Sequence, residues 1–463
     1  MSTQSKHYDA IVIGTGQAGP SLAVDLAKAG QKVAIIERQS FGGTCVNTGC
    51  IPTKTLIANA RAAHVVRTAG DFGVKVDAFQ VDMKKVKERK DSVSGNSSRN
   101  IEKMLRSAEN CTVYTGHARF VSDHEVQVGD VVLAAPKIFI NVGGRAAIPD
   151  IEGLDGISYL TNSTMMHVDT LPDHLVILGG SYIGLEFAQM YRRFGSRVTV
   201  LQRGPRLIGR EDADVAEGVR KLLEDEGVTI LLGVDSIAVA KSGERVQVRV
   251  VSNGAPIEID ASHFLIATGR RPNTDELGLE KTGIRHDAAG FIEVDDSLQT
   301  SVAGVWALGD CNGRGAFTHT SYNDYEIVAA NLLHGGARRV SDRITAYAIY
   351  TDPPFARVGM NEADIRKEKR KALVGTRAMA RVGRAFERGE TRGFMKVFVD
   401  AESKLILGAS LFGIEADEAI HGILDTMYAQ KPYTLIQNAV HIHPTVSELI
   451  PTLLGDLKPL EPA

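Results

Sequence analysis

Ala10-Ile11-Val12-Ile13-Gly14-Thr15-Gly16-Gln17-Ala18-Gly19-Pro20 is an apolar run that breaks into three spaced glycines and a proline. The apolar residues up to position 13 predict a buried strand from 8 to 13, and the spacing of apolar residues over 20–29 predicts a helix. A strand, a glycine loop and a helix form a phosphate cradle. Gly14 permits the tight turn, Gly16 lets the backbone approach a pyrophosphate, and Gly19 lets the helix pack on the strand. Alone, such a loop is a weak signal. Here a second strand, 32–36, ends on Glu37, about eighteen residues past Gly19, where an acid meets the 2′-hydroxyl of an adenosine ribose. The two features together predict a dinucleotide site suited to a free ribose.

The same unit recurs. Residues 175–178 read as a strand, Gly179-Gly180-Ser181-Tyr182-Ile183-Gly184 as the loop, 185–194 as a helix and 198–201 as the next strand. Ser181 replaces the middle glycine and adds only a hydroxymethyl group, which predicts weaker or shifted phosphate contacts rather than loss of the site. About eighteen residues past Gly184 the acid is replaced by Gln202, followed by Arg203 and Arg206. Arginines there accommodate a 2′-phosphate, so the second site is expected to take NADP; a solvated basic loop is the other reading. Both units close on similar words, Ile138-Phe139-Ile140-Asn141-Val142-Gly143-Gly144-Arg145 and Phe264-Leu265-Ile266-Ala267-Thr268-Gly269-Arg270-Arg271-Pro272-Asn273. This echo supports two related nucleotide domains, with boundaries near Gly153 and Arg270.

Just past Glu37 comes Gly42-Gly43-Thr44-Cys45-Val46-Asn47-Thr48-Gly49-Cys50-Ile51-Pro52-Thr53-Lys54. Gly49 lets the chain turn and bring the two sulfurs together at the start of a helix expected over 50–63, whose N-terminus stabilises a thiolate. The stretch reads as a redox disulfide. A metal half-site and two unrelated core thiols are the other readings, but zinc needs about four ligands, and Cys111 and Cys311 stand alone. In a reducing compartment a pair at this spacing is catalytic and cycling rather than structural.

Elsewhere the patterns predict a peripheral helix without chemistry over 83–108 and strands over 112–120, 125–133, 137–142, 228–251 and 257–267. After Pro272 the chain is expected to return to the first domain through a strand over 302–308, ending in Gly309-Asp310, and a helix over 317–333. Asp310 can take a ribityl hydroxyl of a cofactor, and the helix start at Phe317 and Thr318 can stabilise negative charge on a reduced ring. A plain turn is the alternative for Asp310. From 346 onward a hairpin (393–399 with 404–411) and helices over 416–429 lead to His441-Ile442-His443-Pro444-Thr445-Val446-Ser447-Glu448. His443, stiffened by Pro444 and followed by Glu448, is a candidate general acid-base oriented by a carboxylate, with His441 as rival and a surface turn as the bland reading.

A chain of 463 residues holds two to four domains. A formal net charge of −3, with scattered basic residues, argues against nucleic acid or an anionic membrane as partner. The polar start and the lack of any run of ~20 apolar residues predict no signal peptide and no membrane span, hence a soluble, cytoplasmic protein. The expected architecture is α/β: two Rossmann-like dinucleotide-binding domains plus an α+β C-terminal domain. Its segments are 1–152 and 271–345 for the first nucleotide domain, 153–270 for the second, and 346–463 for the last.

The motifs G-G-T-C-x4-C-I-P-x-K and H-P-T-x-S-E, with the two glycine loops, resemble the FAD-dependent pyridine nucleotide-disulfide oxidoreductases, the family of glutathione reductase, dihydrolipoamide dehydrogenase and mercuric reductase. The resemblance spans nearly the whole chain and implies FAD in the first site and NADPH in the second. It implies FAD contacts from Gly14, Gly16, Gly19, Glu37, Gly43, Thr44, Lys54, Gly309, Asp310, Phe317 and Thr318. It implies NADPH contacts from Gly179, Ser181, Tyr182, Gly184, Arg203, Arg206 and Gly269, with Tyr182 as the gate of the nicotinamide pocket. It further implies Cys45 as the interchange thiol, Cys50 as the thiol against the flavin, and Lys54 with Glu186 as an ion pair beside them. His443 and Glu448 would reach across a homodimer to the partner's Cys45. The Thr53-Lys54 pair, the Phe139-Ile140-Asn141 strand and Tyr350-Thr351-Asp352-Pro353-Pro354-Phe355-Ala356-Arg357-Val358-Gly359 are most similar to mercuric reductase and the reactive-chlorine-resistance flavoproteins, although the tail lacks the cysteine pair of a mercuric reductase. The implied acceptor is a small-molecule disulfide or a metal ion. A dihydrolipoamide dehydrogenase-type or glutathione reductase-type enzyme, a flavin-bearing sensor and an oxidase or transhydrogenase are the alternatives.

Overall fold

The structure, a computed structural model, describes residues 5–461. Its first parallel sheet has the strand order Val305–Ala307, Lys137–Ile140, Ala10–Ile13, Val33–Glu37, Cys111–Thr115. Ala10–Ile13 and Val33–Glu37 are buried at every residue, the continuous apolar pattern of strands covered on both faces. The edge strand Val305–Ala307 comes from far along the chain and completes the sheet begun at residue 10. Helix Gly19–Lys28 buries Leu22 and Leu26 against it, each worth about 1.5–3 kcal/mol.

A second parallel sheet orders Thr229–Leu231, Arg197–Leu201, His174–Leu178 and His263–Ile266, with helix Tyr182–Phe194 packed on it. The two similar words form a joint between the units: Arg270–Pro272 pairs antiparallel with Gly144–Ala146. The last unit is a six-stranded antiparallel sheet in the order Ala346–Ile349, Phe355–Gly359, Ile406–Phe412, Phe394–Asp400, Ala372–Ala378, Lys458–Pro459. Phe355 and Phe412 of this sheet join the hydrophobic core of the second nucleotide unit, so the two share packing rather than a linker.

Several expected elements differ in length. The strand expected over 112–120 divides at Gly116 (φ +150°), and that over 125–133 turns back at Gly129 (φ +57°). The run 228–251 likewise breaks at Gly233 and Gly243, both at positive φ. A glycine in the left-handed region reverses a strand that apolar alternation alone reads as continuous. The helix after Cys50 runs to Thr68 rather than 63, because nothing before Gly70 opposes it.

Candidate active site

Both glycine loops are built to the same close tolerance. A Cβ on Gly14 (φ +101°) would lie 2.3 Å from the Asn141 carbonyl oxygen, and one on Gly19 would lie 2.2 Å from that of Gly14. In the second loop a Cβ on Gly179 (φ +120°) would lie 2.3 Å from the Ala267 oxygen, and one on Gly184 would lie 2.0 Å from that of Gly179. Among the described residues no side chain caps helix Gly19–Lys28 or Tyr182–Phe194; the Gly19 N–H is taken by the Gly16 carbonyl at 3.0 Å and Pro20 has none, so the first helix offers an anion the Ser21 N–H, and the second offers those of Tyr182, Ile183 and Gly184. Gly43 closes over the first loop, where its Cβ would come within 2.9 Å of Gly16 Cα. The donor set and the side-chain-free cradle at Gly14, Gly16 and Gly43 fit the pyrophosphate of FAD.

Glu37, buried at the end of its strand, accepts from the Thr15 N–H (3.1 Å), the Thr15 hydroxyl (2.5 Å) and the Gln39 N–H (2.8 Å). A carboxylate accepts about four hydrogen bonds, which leaves one for a ribose hydroxyl. In the second unit Gln202 turns inward, its Oε1 accepting the Gly180 N–H at 2.9 Å. Arg203 and Arg206 are exposed. A cavity of about 2350 Å³ opens along this loop; Gly179, Ser181, Tyr182, Gly269 and Arg203 line it, whereas Arg206 lies outside its lining. Gly269 is at φ +128°.

Cys45 sits in the short helix Gly43–Asn47, and Cys50 opens helix Cys50–Thr68. The chain between them comes so close to itself that a Cβ on Gly49 would lie 2.9 Å from the Thr44 oxygen. Both cysteines are free thiols here. Cys50 Sγ lies 3.0 Å from the Thr318 hydroxyl. The hydrogen bond from Cys45 pulls the Cys50 thiol down to about 6 against the cost of burial, with Thr318 and the Lys54 ammonium adding to the pull. The same pairing, with burial, pushes Cys45 up. Burial alone sets Cys111 at about 11, and it drives Cys311 up to about 12, so neither resembles a reactive thiol.

One turn on from Cys50, Lys54 Nζ bonds both carboxylate oxygens of Glu186, at 2.9 and 2.8 Å. Glu186 is 3% exposed and also accepts the Tyr350 N–H at 3.0 Å, while the Lys54 ammonium lies 4.5 Å from the Tyr350 ring centroid. The Cys50 helix, the helix of the second glycine loop and the segment following strand Ala346–Ile349 therefore meet at this carboxylate. Tyr350 carried no motif; the sequence signal was only its place in the run from 350 to 359. Gly309 (φ +72°) donates to Asp324 Oδ2 at 2.8 Å, and Asp310, raised by burial, pairs with Arg270 at 3.3 Å. Phe317 and Thr318 head helix Thr318–Leu333, and the Phe317 ring lies 5.7 Å from that of Tyr182.

His443 stands apart. Its side chain is 78% exposed, its Nδ1 lies 2.9 Å from Glu448 Oε2, and Val440 and Ile442 beside it are exposed. Among the described residues no hydrogen bond joins it to Cys45 or Cys50 within the chain. Among the described residues His441 hydrogen-bonds the Ala439 carbonyl alone, at 3.3 Å. Among the described residues no group of three or more His, Cys, Asp or Glu could hold a metal ion, and no helix is long and apolar enough to cross a membrane.

The chain has extensive relatives. A family model for pyridine nucleotide-disulphide oxidoreductases matches residues 8–324, and one for the dimerisation domain of that family matches 345–454. The chain is 37% identical over 459 residues to the probable pyridine nucleotide-disulfide oxidoreductase RclA of Escherichia coli strain K12, covering 97% of this chain and 99% of the relative. It is 33% identical over 447 residues to the dihydrolipoyl dehydrogenase of Thermus scotoductus (96% and 96% covered) and 31% identical over 449 residues to the mercuric reductase of Streptomyces lividans (96% and 94%). The solved structure of the HOCl-induced flavoprotein disulfide reductase RclA from Escherichia coli superposes with a TM-score of 0.88 at 35% identity, over 97% of this chain and 99% of that one. Its Cu(II) complex superposes with a TM-score of 0.89 over the same shares of the two chains. By fold, sequence and coverage this chain belongs to the pyridine nucleotide-disulphide oxidoreductases, the FAD-dependent flavoprotein disulfide reductases that work with a pyridine nucleotide.

Proposed function

We propose that this protein is an NADPH-dependent reductase that passes electrons through the Cys45–Cys50 pair to a disulfide or metal-ion acceptor, working as a homodimer in the cytoplasm. The observation that carries this is the Cys50 sulfur, stabilised as a thiolate by Cys45, Thr318 and Lys54 between two nucleotide cradles. FAD, when bound, accepts a hydride from the nicotinamide and delivers an electron pair to a disulfide. Gly14, Gly16, Gly19, Glu37, Gly43, Thr44, Lys54, Gly309, Asp310, Phe317 and Thr318 are the residues assigned to it. Gly179, Ser181, Tyr182, Gly184, Arg203, Arg206 and Gly269 are assigned to NADPH.

With a disulfide acceptor, His443 of the partner subunit takes the Cys45 thiol proton, and the Cys45 thiolate attacks one acceptor sulfur and forms a mixed disulfide while the other acceptor sulfur leaves as a thiolate. His443 of the partner subunit, oriented by its carboxylate neighbour, supplies the proton to that leaving group. The Cys50 thiolate then attacks the Cys45 sulfur, expels the second acceptor sulfur as a thiolate that is protonated from solvent, and restores the Cys45–Cys50 disulfide. Lys54, clamped by Glu186, keeps a positive charge beside these sulfurs. The Cu(II) complex of RclA from Escherichia coli makes Cu(II) one acceptor to test.

The test is anaerobic titration with NADPH followed by a panel of disulfides, quinones, Cu(II) and Hg(II). Cys45→Ser and Cys50→Ser are expected to take up reducing equivalents from NADPH yet turn over no disulfide acceptor. Undiminished turnover in both variants would overturn the reading.

A further inference from the structure

Six residues around the reactive end of the large cavity close into a ring of contacts that no single domain makes alone. The Gly180 carbonyl accepts the Ile208 N–H at 2.8 Å, and the Ile208 carbonyl accepts the Glu211 N–H at 2.8 Å. The Glu211 carboxylate accepts the Tyr347 hydroxyl. The Tyr347 ring stacks on Phe317, with centroids 5.3 Å apart and planes 8° from parallel, and Phe317 meets Tyr182, which returns the circuit to the loop of Gly180. Ile208 and Glu211 belong to the second nucleotide unit, Phe317 to the segment that returns to the first, and Tyr347 to the antiparallel sheet.

The ring is held under tension at one point and pinned at another. Ile208 is β-branched yet sits at φ +37°, a conformation that persists only where neighbouring contacts enforce it. Glu211 is 5% exposed, and burial raises its carboxyl while Tyr347 and the Arg357 guanidinium, whose Nη1 lies 3.4 Å from Oε2, offset part of that cost. Arg357 is itself 8% exposed and lies 5.8 Å from the Tyr347 ring centroid. A buried carboxylate deprived of a donor is costly, so the Tyr347 hydroxyl has one place to go. Its ring is thereby fixed against Phe317.

We propose that Tyr347 is a positioning residue for the nicotinamide end of the nucleotide: pinned by Glu211, it braces Phe317 against Tyr182 and sets the width of the pocket where the nicotinamide enters. This rests on the assignment of the second glycine loop to NADP. The adenosine end of the nucleotide is read elsewhere, at Gln202 and Arg203, so Tyr347 acts on one half of the ligand only.

Calorimetry on the flavin-loaded enzyme separates the halves by comparing NADP+ with adenosine 2′,5′-bisphosphate, which lacks the nicotinamide. Tyr347→Ala is expected to weaken NADP+ about threefold to tenfold, the scale of one aromatic pair, and to leave the bisphosphate within about twofold. Tyr347→Phe, which removes a single oxygen and keeps the fold, is expected to fall between the two. Glu211→Gln keeps an acceptor for the Tyr347 hydroxyl although it loses the charge beside Arg357, and should bind NADP+ more tightly than Glu211→Ala, which should be weakened at least as much as Tyr347→Phe. Equal weakening of both ligands in Tyr347→Ala, or no weakening of either, would overturn the proposal. Wild-type enzyme that binds neither ligand would overturn the nucleotide assignment and the proposal with it.

Discussion

The four cysteines are chemically alike in the chain, and their surroundings separate them. Burial raises Cys111 and Cys311, while one hydrogen bond, one hydroxyl and one ammonium lower Cys50 to about 6. Cys45→Ser keeps a donor beside Cys50, so the thiolate is expected to persist and to give a long-wavelength charge-transfer absorption with oxidised FAD. The shift is downward, so the thiolate predominates above about pH 6 and the absorption should fade as pH falls through that value. Cys45→Ala removes the largest lowering contribution and should move the fading to higher pH. Cys50→Ser should show no band at any pH; identical spectra for the two serine variants would overturn the assigned roles. The same shift links folding to pH: the thiolate's contribution is complete above the ordinary thiol value of 9.0 and is lost as pH falls to about 6.

At the scale of the element, the two strand–loop–helix units are superposable in logic and differ at their second strands. Glu37 closes the first and Gln202 the second, with Gln202 already engaged by the Gly180 N–H. Wild-type enzyme is expected to prefer NADPH over NADH at least tenfold in kcat/KM, because each arginine contact to a 2′-phosphate contributes roughly 1.5–3 kcal/mol. Arg203 lines the cavity and Arg206 does not, so Arg203→Ala should raise KM for NADPH more than Arg206→Ala, and neither should change KM for NADH much. Equal use of the two nucleotides by the wild type would remove the basis of the NADP assignment.

At the scale of the whole molecule, the units are riveted together by charge as well as packing. Arg193, on helix Tyr182–Phe194, bonds Glu226 at 2.7 Å and also Asp352 of the segment before the antiparallel strand Phe355–Gly359; Asp352 in turn bonds Arg61 of the Cys50 helix. The Arg193 side chain is 5% exposed. Asp352→Ala leaves the buried guanidinium with Glu226 as its remaining carboxylate and is expected to cost about 1.5–3 kcal/mol, read as a lower Tm and denaturation midpoint. Beyond the single chain, His443 faces outward, held by the largely buried Glu448, on a domain that matches the family's dimerisation module. His443→Ala and Cys45→Ser are each expected to be nearly inactive toward a disulfide. Equal amounts allowed to exchange subunits give half heterodimers, each with one intact site, and so about a quarter of wild-type activity. Exchange proven by a tag with no return of activity would mean that His443 does not serve the partner's thiols.

Spacing alone determined both nucleotide units, because a glycine loop between a buried strand and a helix is a local arrangement whose steric demands are written in consecutive residues. The same holds for Cys45 and Cys50, which one turn brings together, and for the family, whose motifs are contiguous. What only the tertiary structure decided lies between segments far apart in the chain. Tyr350 and Glu186 around Lys54, Thr318 against Cys50, Arg270 against Asp310, and the Tyr347–Glu211 pair join residues separated by scores to hundreds of positions. No periodicity encodes such contacts. They arise because burying an ionised or hydrogen-bonding group requires a partner wherever the packing of three sheets supplies one, and that packing is a property of the folded chain rather than of any stretch of it.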